Sequence, residues 1–273
     1  MLSKKEIVNV ANIRGIKPYQ QEKHYLQTLI LIILSDYPLV FKGGTYLWFF
    51  QGLDRFSTDL DFTIDLSISP FGFKDIKSFS NHINKRITSM LWVLDGVKST
   101  GKIVSINEYG FSLKISAEGP LYTNAKSLCF IDVDVSYREE VLLPTVSFSL
   151  DFPAYNLPTK IIRCMDLKEI FSEKIRAIYT RRKGRDIYDI WFLINKKHIY
   201  LTKDTISLIN KKLMFKGIGS SKKFSLTSFK KSLLDLKDVF SKDMYEIKFQ
   251  DIDNFEFYYI SIIENIKKNK EKN

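Results

Sequence analysis

Two aspartates separated by one apolar residue, Asp59 and Asp61, are the feature that most restricts what this chain can fold into. They open the segment DLDFTI, whose alternation of polar and apolar residues predicts a β-strand. Residues two apart in a strand project to the same face, so the two carboxylates are expected close together. Two such anions repel each other unless a cation lies between them, and oxygen ligands suit Mg²⁺. Alone, the pattern also fits two exposed acids on a strand edge, or the metal-binding pair of a glycosyltransferase that uses a nucleotide sugar.

A small-residue turn, Gly43-Gly44-Thr45, precedes Asp59 and stands before a segment of helical character. Glycines at such a place let main-chain N–H groups approach a phosphate, and the N-terminus of the helix favours the anion. The Thr45 hydroxyl is expected to donate to a phosphate oxygen. A Gly-Gly turn by itself is usually only a turn, but a turn of this kind followed by Asp-x-Asp on the next strand is much more specific.

A third acid is expected from a neighbouring strand, and the segment FIDVDV supplies two candidates, Asp132 and Asp134. They alternate with apolar β-branched residues that are expected to face the core. A carboxylate among such neighbours is costly to bury unless it meets a cation or hydrogen-bond donors. Either aspartate could therefore join Asp59 and Asp61 across a sheet, and the alternative is that one or both point to water.

Basic residues cluster in a second region, the two predicted helices between Glu173 and Leu193. Lys174 and Arg181 are seven positions apart in the first of these helices, so they lie on one face that suits phosphate groups. In the second helix Arg185 and Asp189 are four apart and are expected to pair. Asp186 stands at the start of that helix, where the dipole favours a carboxylate.

Taken alone, that second region also fits a solvated basic face with local ion pairs. The whole chain carries 42 Lys and Arg against 31 Asp and Glu, a formal net charge of +11. This excess favours partners that bear phosphate, either nucleotides or nucleic acid. The sequence contains neither a P-loop nor a dinucleotide-binding glycine motif.

Cysteine and histidine chemistry is not indicated. Cys129 and Cys164 have no Cys or His near them at metal-ligand spacing, which argues against zinc and against a disulfide framework and agrees with a reducing cytosol. The three histidines are isolated from any nucleophile or acid at a telling spacing, so core or surface roles are expected for His24, His82 and His198.

The chain divides in character near Pro158. Helices and strands are mixed before this residue and helices dominate after it, which predicts a mixed α/β (α+β) domain at 1–158 and a mainly helical bundle at 159–273. The longest apolar run, Leu29 to Leu34, is too short to cross a bilayer, and the N-terminal segment lacks the apolar core of a signal peptide. A cytoplasmic protein without a membrane partner is expected.

Together these segments resemble the AbiEii/AbiGii toxin family, nucleotidyltransferase-like proteins of bacterial toxin–antitoxin and abortive-infection systems. The resemblance covers roughly positions 20 to 195, and its motifs occur in the expected order. They are Glu22-Lys23 with Tyr25-Leu26, FKGGTYL at 41–47, RFSTDLDF at 55–62, DVSYRE at 134–139, and EKIRAIYTRRKGRDIYDIWFL at 173–193.

The resemblance implies a fold like that of the DNA polymerase β nucleotidyltransferases and assigns roles to single residues. Gly43, Gly44 and Thr45 would cradle a triphosphate. Mg²⁺, with Mn²⁺ as an alternative, would be held by Asp59, Asp61 and Asp134. Asp134 is preferred to Asp132 because it precedes the Val-Ser-Tyr-Arg-Glu run typical of the family, and it would also act as the base. Wider relatives have Gly-Ser where this chain has Gly44-Thr45, a change that keeps the hydroxyl.

The resemblance also assigns the helical domain a part in the site. Lys174 would bind a nucleotide phosphate, and Asp186 of the Arg-Asp-x-x-Asp motif would be essential for activity. The implied reaction transfers a nucleoside monophosphate from an NTP to an acceptor hydroxyl, with tRNA or other RNA favoured by the basic charge. A cognate antitoxin is the implied partner. The alternatives are a nucleotidyltransferase acting on a small molecule such as an antibiotic, and a non-catalytic module that binds RNA or protein.

Overall fold

The computed structural model describes residues 1–65, 75–137, 140–215, 223–249 and 251–270 of the chain. These residues form two compact units. The first unit comprises Met1–Phe50, Phe56–Val141 and Thr145–Cys164, and the second comprises Gln51–Arg55, Leu142–Pro144 and Met165–Asn273. Arg138 and Glu139, which belong to one of the family motifs, lie outside the described residues.

The first unit is built on a sheet of seven described strands in the order β3-β4-β5-β2-β1-β7-β6. The pairs β2/β5 and β1/β7 are parallel and the other neighbouring pairs are antiparallel. The strands are β1 (Leu39–Lys42), β2 (Asp59–Ile64), β3 (Ser99–Asn107), β4 (Gly110–Ala117), β5 (Cys129–Ser136), β6 (Val146–Leu150) and β7 (Lys160–Cys164).

Four helices accompany this sheet: α1 (Lys4–Arg14), α2 (Pro18–Leu34), α3 (Gly43–Gln51) and α4 (Ile76–Asp95). The sequence of α4 shows why it is a helix that covers the sheet. Its side chains at four-residue spacing, Phe79, Ile83, Ile87 and Leu91, are fully buried, and the helix packs on β3 and β4. The Asp75 carboxylate accepts a hydrogen bond from the Ser78 N–H at the start of α4, and Gly96 ends it with a left-handed φ of 66°.

Alternation along β5 gives the sheet two different faces. Ile131, Val133 and Val135 are buried, whereas Asp132 and Asp134 on the opposite side are partly exposed. Strand residues alternate in direction, so the core of the unit lies on the side of the apolar residues. The other side, called here the open face, carries the aspartates.

The second unit consists of six described helices with short connecting segments. They are α5 (Leu167–Thr180), α6 (Arg185–Asn195), α7 (Lys203–Met214), α8 (Leu226–Leu234), α9 (Lys237–Ile247) and α10 (Phe255–Lys270). Helix α5 packs against α6, α7 and α8, and α6 packs against α9 and α10. In the part of the chain that the structure describes, no helix is long and apolar enough to span a bilayer. The mixed α and β composition followed by helices confirms the expected fold class.

The bounds of the two units differ from the expected division at Pro158. Strand β7 belongs to the first unit because it pairs with β6 and with β1. Two short segments from the first part of the sequence, Gln51–Arg55 and Leu142–Pro144, belong to the second unit. Strands β6 and β7 were not anticipated from the sequence.

Candidate active site

Four aspartates lie in two registered pairs on adjacent strands. Strand β2 runs parallel to β5, with Asp59 opposite Asp132 and Asp61 opposite Asp134. Residues directly opposite in a sheet project to the same face, so all four carboxylates lie on the open face. The structure thus brings together Asp59, Asp61 and Asp134 as expected, and it places the alternative acid Asp132 beside them.

Asp134 and Asp132 differ in their surroundings. Asp134 is more buried and accepts a hydrogen bond from the Ser112 hydroxyl on β4. Burial raises the pKa of Asp134 above its ordinary value; the Ser112 hydrogen bond lowers it, and the charges of Asp59 and Asp132 raise it further. Asp132 is 41% exposed and lies 3.6 Å from the Lys114 ammonium. The environment of Asp134 therefore favours the protonated form of its carboxyl group.

Gly43 and Asp61 lie against each other where β1 passes into α3. Gly43 has a φ of +77°, in the left-handed region, and a Cβ added at this position would lie 2.2 Å from Oδ2 of Asp61. Only glycine meets both conditions without strain. The first N–H groups of a helix have no partner within the helix, and the helix dipole favours an anion there. The Asp61 carboxylate and the start of α3 thus form one continuous polar surface.

The Thr45 side chain contacts the start of β2. Its side chain is fully buried, and its hydroxyl donates to the main-chain carbonyl of Asp59 at 2.5 Å and lies 2.8 Å from the Ser57 hydroxyl. A hydroxyl has a single proton to donate, and here that proton is directed at the start of β2. This contact positions the main chain of Asp59, and the expected hydrogen bond from the Thr45 side chain to a phosphate stays a prediction. Gly43 and Gly44 keep their main-chain N–H groups for such a role.

Two residues near the acids were missed by the sequence argument. Lys42 lies opposite Asp61 in the β1/β2 pair and is buried. Its position directly before the glycine turn was a signal that could have identified it. Ser112 holds Asp134 from β4, and no motif marks it, because a serine in an alternating strand is unremarkable until the register is known.

The second unit contains a buried network of ion pairs. The Lys174 ammonium lies 2.9 Å from Oδ1 of Asp186 and 2.6 Å from Oδ2 of Asp189. Arg181 donates to Asp186 through two nitrogens, each 2.8 Å from a carboxylate oxygen. Arg55 donates to Asp189 through two nitrogens, each at 2.7 Å. Burial by itself would raise the pKa of Asp186, but the charges of Lys174 and Arg181 hold it well below its ordinary value.

This network changes the interpretation of the basic region. Asp189 is fully buried and forms ion pairs with Arg55 and Lys174. The four-residue spacing had suggested a pair with Arg185 instead. An internal carboxylate needs a desolvated cation, and here the cations come from another helix and from a distant segment. Lys174 and Arg181 were expected on one face of a single helix, but α5 ends at Thr180 and Arg181 follows it in extended backbone. Both side chains nevertheless contact Asp186.

The open-face acids have the composition that a divalent cation requires. Across the described ranges no three His, Cys, Asp or Glu side chains converge as a preformed metal site. The donors on β2 and β5 are nevertheless all carboxylate oxygens, the ligands that Mg²⁺ takes, and they stand in register on neighbouring strands. The raised pKa of Asp134 reports, in part, repulsion between these acids that a cation would relieve. The residues fit the metal, and their role as ligands stays a prediction.

His24 has the core role that its sequence isolation suggested. It is 1% exposed, its Nδ1 lies 2.6 Å from the Tyr155 hydroxyl, and its ring stacks on Phe49 with centroids 4.1 Å apart. His82 instead makes a hydrogen bond of 2.7 Å with the Tyr37 hydroxyl, and His198 is exposed.

Comparison with known proteins gives a family and a fold. Residues 25–258 match the family model described as nucleotidyl transferase AbiEii toxin, type IV toxin–antitoxin system. Among solved structures, a candidate nucleotidyltransferase from Helicobacter pylori has a TM-score of 0.59 at 20% identity, covering 91% of this chain and 95% of that chain. JHP933 from Helicobacter pylori has a TM-score of 0.58 at 20% identity, covering 93% and 95%. These likenesses confirm the nucleotidyltransferase fold. No curated protein sequence matches the chain significantly.

Proposed function

The chain belongs to the AbiEii family of nucleotidyltransferase toxins, and from this premise we propose that it transfers a nucleoside monophosphate from an NTP to a hydroxyl group of RNA, with tRNA the favoured acceptor. One observation carries the proposal. The parallel register of β2 and β5 gathers the aspartates on one face, and Asp61 lies against the glycine turn at the start of α3.

The glycine turn is the proposed triphosphate site. Gly43 and Gly44 stand at the N-terminus of α3, where main-chain N–H groups and the helix dipole both favour a phosphate. Neither glycine has a Cβ that would keep a ligand away from the main chain. Thr45 contributes indirectly, since its hydroxyl holds the carbonyl of Asp59 and so fixes the beginning of the acidic strand.

The proposed metal ligands are Asp59, Asp61 and Asp134, with Mg²⁺ as the cation and Mn²⁺ as an alternative. A divalent ion bound there would neutralise the charge that develops on the phosphate oxygens during transfer. The protein contributes a rigid placement, because adjacent strands fix the spacing of the carboxylates.

Asp134 is the proposed base. Its raised pKa favours uptake of a proton, and the Ser112 hydroxyl orients its carboxylate. In the reaction the acceptor O–H bond breaks, with its proton passing to Asp134. The acceptor oxygen then forms a bond with the α-phosphorus, and the bond from that phosphorus to the pyrophosphate oxygen breaks in line.

Lys174 and Asp186 keep the roles that the family resemblance implied, and these too are proposals. The two buried carboxylates of Asp186 and Asp189 hold the Lys174 ammonium in one place. A fixed cation is suited to a phosphate group, since little side-chain entropy is lost on binding. Asp186 would then matter for activity as a positioning residue, and its substitution would release both Lys174 and Arg181.

The net charge of +11 supports RNA as the acceptor over a small molecule. A cognate antitoxin is proposed from the description of the family as a toxin–antitoxin system. We place the activity in the cytoplasm, where NTPs and RNA are available. The competing functions are transfer to a small molecule and binding of RNA or protein without catalysis.

The test is a transfer assay with the full-length protein, α-labelled NTPs, Mg²⁺ and pooled tRNA. We expect label to enter RNA, and Asp59→Ala and Asp134→Asn to lower the rate by at least a hundredfold with an unchanged melting temperature. Asp132→Asn is the matched control, because it removes the neighbouring acid of the same strand, and it should keep most of the activity. Full activity in Asp59→Ala would refute the metal assignment.

Calorimetry separates the competing functions. NTP binding that requires Mg²⁺, with label found only on a metabolite, would favour the small-molecule enzyme. RNA binding by the folded protein, with no heat from any NTP, would favour the non-catalytic module.

A further inference from the structure

The open face continues beyond the acids onto β4 and β3, and its side chains there change from acidic to basic. Opposite residues in neighbouring strands form rows that cross the sheet. In one row Asp59 of β2 lies opposite Asp132 of β5, which lies opposite Lys114 of β4, which lies opposite Lys102 of β3. Two acids are thus followed by two lysines on one face of four consecutive strands.

The lysine pair is an unfavourable arrangement for the protein alone. Lys102 and Lys114 are directly opposite in an antiparallel pair, where like charges are destabilising. Lys114 lies 3.6 Å from Asp132, with both side chains about half exposed, and such a pair in water is weak. Lys102 is exposed. An anion placed over the two ammonium groups would offset their repulsion.

An exposed aromatic ring lies beside this row. Phe130 is on the same side of β5 as Asp132 and Asp134, two residues before Asp132, and 45% of it is exposed. Its cross-strand neighbour is Ser116, which lies opposite Thr100 on β3. These cross-strand neighbours carry small hydroxyl side chains, and the Phe130 ring is left partly exposed beside the row of lysines. The ring is roughly 7 Å from Asp132 along the strand, from a rise of about 3.4 Å per residue.

An aromatic ring next to lysines on an open sheet face is the arrangement by which proteins bind single-stranded nucleic acid, with a base on the ring and phosphates on the cations. An acidic peptide would use the lysines and leave the ring without a partner. The nucleotide substrate is assigned to the opposite side of the acids, at the glycine turn that follows β1. The surface on β5, β4 and β3 therefore remains for the acceptor.

We propose that Phe130, Lys114 and Lys102 form an acceptor platform, on which a single-stranded RNA end stacks a base against Phe130 and places backbone phosphates over the two lysines. This inference rests on the proposed function and adds to it the place and the chemical form of the acceptor. The platform borders Asp132, and Asp134 lies two residues further along β5, so an RNA end that extends past Asp132 brings its terminal hydroxyl to Asp134. Double-stranded ends would not present a free base to the ring.

The test measures binding of a fluorescein-labelled ten-nucleotide single-stranded RNA to the full-length protein by anisotropy, without NTP. Phe130→Ala is expected to weaken binding about tenfold or more, as removal of a stacked base partner does. Phe130→Tyr should keep the affinity, whereas Phe130→Leu, which stays apolar but cannot stack, should lose it. The double variant Lys102→Ala/Lys114→Ala should lower the slope of log affinity against log salt by about 1.4, from about 0.7 per phosphate.

Matched controls lie elsewhere on the molecule. Phe257→Ala removes an aromatic ring of the same 45% exposure in the second unit, and Lys85→Ala removes an exposed lysine of α4, which packs on the covered side of the sheet. Both should bind the RNA as the wild type does. All platform variants should bind NTP in the presence of Mg²⁺ within twofold of the wild type, by calorimetry.

Failure of this inference and failure of the proposed function are distinguishable. If the wild type labels RNA, but Phe130→Ala and the lysine double variant bind and label it equally well, the platform is wrong and the function stands. If the wild type transfers nothing, yet RNA affinity falls in these variants alone, the platform stands and the function is wrong. Label found on a protein acceptor, with no measurable RNA binding, would overturn the platform.

Discussion

At the scale of single residues, the tightest steric restriction on a substitution is at Gly43, because the Asp61 carboxylate lies against it. The carboxylate occupies the space where a side chain would begin, and the positive φ of Gly43 makes that space accessible. The absence of a side chain at position 43 thus allows the Asp61 carboxylate to lie at the start of α3. Strain and function are connected here, because any change at Gly43 moves Asp61.

Gly43→Ala is therefore expected to cost more than an ordinary glycine substitution. Gly52→Ala is the matched control, since Gly52 has a φ of +75° but nothing within 4 Å of an added Cβ. In the control, the free energy of unfolding should fall by about 1–2 kcal/mol, which is the cost of an alanine in the left-handed region. Gly43→Ala should lose more and should also weaken NTP binding. Urea unfolding and calorimetry measure the two effects, and equal stability losses would contradict the steric argument.

His24 makes stability depend on pH. Burial, with the charge of Arg14 adding to it, holds the pKa of His24 well below its ordinary value. Above about pH 6.5, the ordinary value for histidine, the side chain is neutral in both the folded and the unfolded chain. Below it, unfolding takes up a proton, so the free energy of unfolding falls towards the depressed folded-state pKa. The limiting slope is about 1.4 kcal/mol per pH unit.

The measurement is the free energy of unfolding between pH 8 and pH 5 for the wild type and for His24→Leu, which has no proton to take up. The wild type should lose more stability than His24→Leu on acidification. The control is His198→Asn, at an exposed position with a φ of 56° that asparagine tolerates, and it should follow the wild type. Parallel curves for the wild type and His24→Leu would show that another group is responsible.

The four aspartates that the sequence singled out do lie together on adjacent strands, but the contacts that hold them were not predicted. The shared face of the aspartates could be predicted, because polar and apolar residues alternate along each strand in the sequence. These aspartates are Asp59, Asp61, Asp132 and Asp134. Three contacts could not be predicted in this way, because each depends on strand register or on contacts between distant segments. They are the hydrogen bond from the Thr45 hydroxyl, the hydrogen bond from Ser112, and the pairing of Arg55 with Asp189. Alternation gives the face of a strand, and only the assembled sheet gives its neighbours.

At the scale of elements, α7 is joined to α5 by a buried lysine. Lys212 is fully buried, with its ammonium 2.6 Å from Glu169 and 3.1 Å from Glu173. Glu169 also accepts hydrogen bonds from the N–H groups of Leu142 and Leu143. One cation thus satisfies two acids of α5 and, through Glu169, a segment from the middle of the chain.

Lys212→Ala should lower the free energy of unfolding by about 3–5 kcal/mol, because it leaves buried carboxylates without their cation. The neighbouring residue provides the control: Lys211 is exposed on the same helix, and Lys211→Ala should leave stability nearly unchanged. Chemical denaturation compares the two, and hydrogen exchange should show faster opening of α7 in Lys212→Ala alone. A similar loss in both variants would point to helix propensity instead of the ion pairs.

The helices and strands themselves were predictable to different degrees. Helix α4 and strand β2 follow directly from their patterns of buried residues. Strand β7 was hidden because it begins just after Pro158, where the change of composition suggested a boundary. No glycine or proline marks the break between α8 and α9. Asp235 ends α8 and Leu236 precedes α9, and this break involves main-chain geometry alone.

At the scale of the whole molecule, the two units are interlaced in sequence. Gln51–Arg55 belongs to the helical unit, although the residues on both sides of it belong to the sheet unit. Arg55 is the reason: it is 1% exposed and holds the buried Asp189 of α6. A division of the gene between the units would therefore separate the helical unit from a cation that it needs.

Arg55→Ala should destabilise the helical unit although the change lies in the first quarter of the chain. Removing one partner of a buried ion pair costs about 3–5 kcal/mol, which is a large part of the stability of most domains. Hydrogen exchange should show the loss in α6. Arg163→Ala, which breaks a more exposed pair with Asp65 in the sheet unit, is the control and should leave α6 protected. Exchange that accelerates only in the strands after Arg55→Ala would contradict the assignment.

The link between Arg55 and Asp189 also has a consequence for biosynthesis. The two residues are 134 positions apart, so Arg55 leaves the ribosome long before its partner exists. All seven strands that the structure describes have been translated by Cys164, whereas α6 has not. A nascent chain can thus form the sheet that carries the aspartates while the Arg55 guanidinium is still hydrated. This guanidinium can be buried against its partner only after Asp189 has been translated. In this protein the order of synthesis places the aspartates of the sheet first and the closing of the helical unit last.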